Sequence, residues 1–357
     1  MEPQRKLEEY LKQITPPNAA LAEMAERRED LLAKPLKSLG RLEDLAIQLS
    51  ATQNATTLRH GHKLMVVCAG DHGVTDEGVS PYPKSVTYQQ ILNFDKGFGA
   101  IAVLCRTAGV KVLLLDAGVD YDFPPLPGLL NRKIGKGTKN IAKGPAMTRE
   151  EAVLSVLAGL EAVLAEPYVD LVAAGEMGIG NTTPSSCVSC VYAGLTPEDS
   201  TGRGSGLKPD LVRRKTEVIR RALEVNKPDP GDPLDVLAKV GGYEIGAMCG
   251  VYLGGAMRQA GVIIDGFIGA AAALLAEKLA PGVSKRMIAG HRSKEKAHAK
   301  VLEHLNLKPL LDLDMCLGEG SGAAVAMFIV ECACTHFNQM RTMAEASIDE
   351  PDGSMTS

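Results

Sequence analysis

A glutamate lies inside a glycine-rich segment near the C-terminal end of the chain, LDMCLGEGSGAA (313–324). Gly318 and Gly320 flank Glu319, and glycines at this spacing let the backbone approach a ligand closely. A carboxylate in a narrow turn with apolar flanks loses solvation, which raises its pKa and makes it a better general base. The segment is also compatible with a glutamate that caps the following helix or pairs with a cation.

A second glycine loop, AAGEMGIGNTTPSS (173–186), has the composition of a phosphate site. A helix N-terminus behind such a loop attracts anions. The residues that we expect to bind the phosphate or nucleotide are Gly175, Gly178, Gly180, Asn181 and Thr182. The loop matches neither GxGxxG nor GxxxxGK[ST], so it predicts a general phosphate site, with a plain strand-to-helix turn as the alternative.

A third loop, TGRGSGLKPDLVRRK (201–215), combines glycines with cations. Arg203 and Gly204 precede a predicted helix that bears Lys215, and cations beside a glycine loop suit a phosphomonoester. A solvated basic helix face is the alternative interpretation. Together, the second and third loops favour one nucleotide-like phosphate.

A fourth segment, AGDHGVTDEGVSPYPKSVTYQQ (69–90), follows a predicted strand. Asp71 and His72 have no further ligands at metal spacing, so we interpret them as orienting residues and predict no metal site. Tyr82 and Gln90 are suited to line a pocket for a flat ring. The cysteine pairs of the chain do not have zinc spacing either.

The elements that position these loops are short apolar runs, each followed by a glycine and then by a helical pattern. They are KLMVVCAG (63–70), VKVLLLDAG (110–118), DLVAAGE (170–176), GVIIDG (261–266) and KRMIAG (285–290). Buried parallel strands have this composition. We therefore predict an α/β fold with a mostly parallel, Rossmann-like sheet flanked by helices, and ligands outside the carboxyl ends of its strands. Residues 119–147 are expected to be irregular.

Both ends of the chain have a helical pattern only. Residues 1–60 carry apolar residues at helical spacing, and a last helix is expected over about 322–342. We predict a small helical domain formed by residues 1–60 and about 322–357, and an α/β main domain over 61–321 that carries the active site.

Composition excludes several classes of function. The 357 residues carry a formal net charge of −4, only 4% are aromatic and none is Trp, which argues against nucleic-acid binding. No apolar run is long enough for a membrane span, and the N-terminus lacks the apolar region of a signal peptide. The scattered cysteines are expected to be reduced thiols, so we predict a cytoplasmic protein.

Taken in order, the motifs resemble those of nicotinate-nucleotide–dimethylbenzimidazole phosphoribosyltransferases, of the lower-ligand branch of cobamide (vitamin B12) synthesis. The matching segments are KPLKSLGRLEDLA, AGDHGV…EGVSPYPKSVT, NIAKGPAM, GEMGIGNTT, KVGGYEIGAMCGVYLG, IDGFI and LGEGSGAA, and they span nearly the whole chain. The resemblance implies transfer of phosphoribose from nicotinate mononucleotide to an aromatic acceptor, without a cofactor, by a dimer. It also implies a general base at Glu319, and site roles for Glu176 and Lys215.

The resemblance further places Tyr82, Gln90 and Met177 against the acceptor ring. We also expect Leu317 to contact the acceptor, and Asp265 is a further candidate orienting residue. The acceptor itself stays open. Gln90 favours dimethylbenzimidazole or another azole, whereas Tyr82 and Met177 are also compatible with relatives that work as two related chains on phenol or p-cresol. The partner is then a second copy or a paralogous chain, and a weakly active, nucleotide-binding partner subunit is a third hypothesis.

Overall fold

The computed structural model describes residues 2–202 and 208–349. Within these residues, six strands form one sheet in the order β3-β2-β1-β4-β5-β6, and every neighbouring pair is parallel. The strands are β1 (Lys63–Gly70), β2 (Lys111–Gly118), β3 (Leu129–Asn131), β4 (Leu171–Met177), β5 (Gly261–Ile264) and β6 (Met287–Ala289). The predicted parallel α/β sheet and its five apolar strands are confirmed. The short edge strand β3 was not predicted and lies in the segment expected to be irregular.

The helices connect these strands and cover both faces of the sheet. They are α1 (Pro3–Leu11), α2 (Ala19–Leu31), α3 (Arg41–Gln53), α4 (Ser85–Asp95), α5 (Ala100–Thr107), α6 (Arg149–Leu164), α7 (Thr182–Ala193), α8 (Pro197–Ser200), α9 (Pro209–Asn226), α10 (Pro233–Val240), α11 (Tyr243–Met257), α12 (Phe267–Leu279), α13 (His298–His304), α14 (Ser321–Gln339) and α15 (Met343–Ala346). Short 3₁₀ helices lie at Gly73–Glu77 and Val283–Arg286. No helix of the described residues is both long and apolar enough to cross a membrane.

Two cores lie on opposite faces of the sheet because successive strand residues point to opposite sides. Along β1, Val66 packs into the core that contains α6, α11 and α12. Met65 and Val67 pack into the other core, which contains α3, α5 and α14. The small residues of α11 allow unusually close packing, since a Cβ atom on Gly250 would lie 1.9 Å from the carbonyl oxygen of Val156 in α6.

The two ends of the chain meet through a buried charge cluster. Lys34 lies 2.9 Å from the carboxylate of Glu43, and His336 of α14 lies 2.8 Å from the carboxylate of Glu29 in α2. In contrast, α1 packs on α6 at the opposite face of the sheet, where Leu7 joins the core. The division into a small helical domain and a main domain over 61–321 stays a prediction, and residues 350–357 lie outside the described residues.

Candidate active site

A cavity of about 350 Å³ lies outside the carboxyl ends of β4, β5 and β6, the edge of the sheet at which ligands were expected. It brings together many of the residues singled out in the sequence. Those that line it are Tyr82, Gln90, Glu176, Met177, Gly178, Gly180, Asn181, Thr182, Lys215, Asp265, Leu317, Gly318 and Glu319. Gly175, Gly320, Asp71 and His72 are not among its lining residues, and Arg203 and Gly204 lie outside the described residues.

Glu319 lies in the turn that leads into α14 and is only 6% exposed. Its φ of 64° and the φ of 90° at Gly320 are both left-handed, and Gly320 is the N-cap residue of α14, which has no side-chain cap. The interpretation of Glu319 as a helix cap is therefore wrong. Burial, followed by the negative charge of Asp265, raises the pKa of Glu319 to about 7.

Glu176 reaches the cavity from the end of β4. Its Oε1 atom accepts the backbone N–H of Glu319 at 3.2 Å, and its Oε2 atom accepts a hydrogen bond from the side-chain amide of Asn181. Burial raises the pKa of Glu176 to about 8, although both of these hydrogen bonds act in the opposite direction. The two carboxylates thus share one end of the cavity, and each is partly desolvated.

Glycines in the loop after β4 and in the loop before α14 allow Glu176 and Glu319 to lie this close together. A Cβ atom on Gly175 would lie 2.2 Å from the carbonyl oxygen of Glu319, and one on Gly318 would lie 2.3 Å from Oε1 of Glu176. The loops after β4 and before α14 therefore interlock backbone against backbone. Side chains at either glycine would separate the two carboxylates.

The loop after β4 turns into α7, whose first residue is Thr182. Asn181 occupies the N-cap position, but its side chain donates a hydrogen bond to Glu176 and does not cap the helix. Lys215 of α9 is buried and its Nζ atom donates to the Thr182 hydroxyl at 2.6 Å. Burial lowers the pKa of Lys215 to about 8, against the opposing charge of Glu295. A cation and a helix N-terminus therefore meet at one place, as an anion site requires.

Asp71 and His72 lie behind this loop and do not bind each other. Oδ2 of Asp71 accepts the backbone N–H of Asp120 at 2.8 Å, and Nε2 of His72 lies 2.7 Å from Oε1 of Glu244. A Cβ atom on Gly178 would lie 3.3 Å from Nε2 of His72. The buried His72–Glu244 pair therefore lies directly under the glycine loop and supports it.

Asp265 follows β5 and holds the first turn of α14. Its Oδ1 atom accepts the N–H of Ala323 at 2.8 Å, and its Oδ2 atom accepts the N–H of Gly320 at 3.2 Å. His291, which follows β6, places Nε2 3.7 Å from Oδ1 of Asp265. His291 and Glu244 were not predicted as site residues. His291 had one available signal, because β6 ends in AGH as β1 ends in AGDH.

One part of the cavity is largely apolar. It is lined by Val79, Pro81, Val86, Met177, Ile179, Phe267, Ile268 and Leu317, together with Tyr82 and Gln90, whereas Ser80, His291, Ser293, Glu295 and Cys316 add polar groups to the rest of the lining. Tyr82 and Leu317 are about half exposed, whereas Met177 is buried. Tyr88 of α4 does not line the cavity and stacks on Tyr121, with ring centroids 4.2 Å apart. An apolar slot with a single amide suits a flat ring that carries one or two polar atoms.

The chain is similar in sequence and in fold to known phosphoribosyltransferases. A family model described as "Phosphoribosyltransferase" matches residues 14–348. The nicotinate-nucleotide–dimethylbenzimidazole phosphoribosyltransferase of Desulforudis audaxviator is 48% identical over 96% of this chain and 98% of that protein, and the one of Chloroflexus aurantiacus is 46% identical over 95% and 97%. The crystal structure of the Thermus thermophilus enzyme superposes with a TM-score of 0.88 at 43% identity, and covers 94% of this chain and 100% of that chain.

Proposed function

The chain belongs to the nicotinate-nucleotide–dimethylbenzimidazole phosphoribosyltransferase family, and we propose that the cavity beside Glu319 is where it transfers the phosphoribosyl group. The donor is nicotinate mononucleotide, the acceptor is dimethylbenzimidazole, and the products are an α-riboside 5'-phosphate and nicotinate. The observation that carries the assignment of the site is the buried carboxylate of Glu319, which lines the cavity and whose pKa is raised to about 7. The chain is a glycosyltransferase of this type.

The chemistry requires one base. The bond between the anomeric carbon and the pyridine nitrogen breaks, and its electron pair leaves with nicotinate as a neutral ring nitrogen, so departure needs no acid. A ring nitrogen of the acceptor forms the new bond from the opposite side, which inverts β to α. The acceptor then loses its N–H proton, and Glu319 is the group proposed to take it because it is ionised just above neutral pH.

We assign the phosphate of the donor to the glycine loop after β4. There it would meet the turn of Gly178 and Gly180, the N-terminus of α7 and the Lys215–Thr182 pair. Gly175 and Gly320 act behind the cavity, since their small size lets the two loops meet. Lys215 supplies positive charge, which is retained below its pKa of about 8.

Glu176 is proposed to orient the ribose through its hydroxyl groups. Its two oxygens are already held by Asn181 and by the backbone of Glu319, so the carboxylate has a fixed direction. The acceptor ring is assigned to the apolar slot, with Gln90 as the polar contact and Tyr82 at the exposed side. The enzyme is proposed to act as a homodimer, as its family resemblance implies.

A direct assay tests the proposal. The purified chain is incubated with nicotinate mononucleotide and, in separate reactions, with dimethylbenzimidazole, adenine, phenol or p-cresol, and riboside phosphate and nicotinate are quantified. We expect the highest kcat/KM with dimethylbenzimidazole. A preference for phenol or p-cresol would overturn the acceptor assignment, and the absence of product with all four would overturn the enzymatic activity of the isolated chain.

A further inference from the structure

Asp265 and His291 form a buried pair at the ends of neighbouring strands β5 and β6. Each is 3% exposed, and Nε2 of His291 lies 3.7 Å from Oδ1 of Asp265. Both residues line the cavity together with Glu319. A buried carboxylate is costly unless it is paired or hydrogen-bonded, so this pair calls for a role.

Asp265 fixes the backbone on the C-terminal side of Glu319. Its two oxygens accept the N–H groups of Gly320 and Ala323, which are the N-cap residue and a first-turn residue of α14. No side chain of α14 itself caps this end. The negative charge therefore replaces a helix cap and also interacts favourably with the helix dipole.

His291 is confined between two glycines of different motifs. A Cβ atom on Gly322 would lie 2.1 Å from Cδ2 of His291, and a Cβ atom on Gly266 would lie 3.6 Å from its Nε2 atom. The imidazole thus occupies the space that a side chain at residue 322 would need. Its position beside Asp265 depends on the same turn that carries Glu319.

Charge connects the pair to Glu319. Burial raises the pKa of Asp265, whereas the positive charge of His291 and backbone N–H groups oppose that rise. The charge of Asp265 in turn adds to the effect of burial in raising the pKa of Glu319. The described titratable groups that face Asp265 or Glu319, or line the same cavity, are Tyr82, Cys105, Glu176, Lys215, Tyr252, His291, Glu295 and Cys316.

We propose that Asp265 and His291 are a positioning unit for Glu319, which fixes its loop and keeps a negative charge beside the base. This inference rests on the proposed function. Asp265 acts directly on the loop, and His291 acts through Asp265 by keeping it ionised and in place. Neither residue is assigned a bond-making step.

The first test is Asp265→Asn, assayed over pH 5.5 to 9 with dimethylbenzimidazole as acceptor. The amide keeps one acceptor but loses the charge and one hydrogen bond. We expect kcat to fall on the order of 10-fold from misplacement of the base. We also expect the acidic limb of the kcat profile to move to lower pH, because Glu319 loses the neighbouring charge that raises its pKa.

Asp116→Asn is the matched control. Asp116 is equally buried at the end of β2, accepts the N–H of Val119 at 2.9 Å and does not line the cavity. Both variants are expected to lower the Tm, but only Asp265→Asn is expected to move the acidic limb. The inference would be overturned if the acidic limb of the kcat profile of Asp265→Asn stayed at the wild-type pH and kcat fell only as much as the amount of folded protein.

His291→Gln tests the role of His291. It also provides a test of the proposal if the Asp265→Asn variant does not fold. We expect kcat to fall without a matching rise in the KM for nicotinate mononucleotide, because His291 acts on the loop of Glu319 through Asp265 and not on the phosphate site. The double variant should lose no more activity than Asp265→Asn alone, because both residues act on one loop. An additive loss, or a His291→Gln variant with wild-type kcat, would refute the proposal that the two residues act as one unit. If the wild-type chain forms no riboside, the proposed function fails instead.

Discussion

The raised pKa of Glu319 makes a prediction about the pH dependence of turnover. At an ordinary glutamate pKa of 4.5, the base would be ionised throughout the range from pH 6 to 9, and kcat would be flat on its acidic side. With a pKa of about 7, about 10% of Glu319 is ionised at pH 6 and about 90% at pH 8. The sign follows directly, because only the ionised form accepts a proton. We therefore expect kcat to rise about ninefold between these two pH values.

The perturbation that isolates this effect is Glu319→Gln. The amide has the same size but cannot take a proton, so we expect kcat to fall by on the order of 10² to 10⁴. The pH-dependent acidic limb should disappear from whatever activity remains. Binding of nicotinate mononucleotide, measured by isothermal titration calorimetry, should change little, because the phosphate is assigned to the loop after β4 and to Lys215.

Product formation under saturating substrates, with nicotinate release measured by chromatography, provides kcat at each pH. Glu43→Gln is the matched control, since Glu43 is equally buried but lies in the charge cluster that joins the ends of the chain. It should lower the Tm and leave the pH profile unchanged. A wild-type kcat that is flat from pH 6 to 8, or a Glu319→Gln variant with more than about a tenth of wild-type kcat, would refute the reasoning.

The glycine loop and its lysine give two further predictions. Gly178→Ala places a Cβ atom 2.4 Å from the carbonyl oxygen of Gly70, so the loop must shift and the KM for nicotinate mononucleotide should rise about 10-fold or more. Gly144→Ala is the control and should behave as wild type, because no atom lies within 4 Å of its added Cβ. Lys215→Met should weaken nucleotide binding on the order of 10-fold or more, and Lys208→Met should not. In the wild-type chain, calorimetry should show nucleotide affinity falling as the pH rises through about 8, because Lys215 loses its charge there; a constant affinity up to pH 9 would contradict the assignment of Lys215 to the phosphate.

The sequence predicts most of the sheet because buried parallel strands have continuous apolar runs, and this is how β1, β2, β4, β5 and β6 were located. The edge strand β3 escaped prediction because its three residues are half-exposed and follow a Pro-rich segment. Its pairing with β2 depends on tertiary contacts, not on local composition.

The chemistry of the site was predictable only in part. Glu319 and the glycine loop after β4 could be singled out as candidates because each carries its own local pattern of glycine and polar residues. The roles of His291 and Glu244 could not be predicted, because they depend on partners far away in the chain. Glu244 meets His72, 172 residues earlier, and His291 meets Asp265 only when β5 and β6 become neighbours. The AGH segment (289–291) is a local signal for a histidine at the end of a strand, but it does not indicate that Asp265 is the partner of that histidine.

The two carboxylates of the cavity can be told apart by their hydrogen bonds. A general base needs an oxygen that is available to the substrate proton. Both oxygens of Glu176 already accept hydrogen bonds, from Asn181 and from the backbone of Glu319. Within residues 2–202 and 208–349, the carboxylate of Glu319 accepts no hydrogen bond and lines the cavity. Its pKa is also the lower of the two, so Glu319 is ionised first as the pH rises. Availability and ionisation therefore both assign the proton to Glu319 and leave Glu176 to orient the ribose.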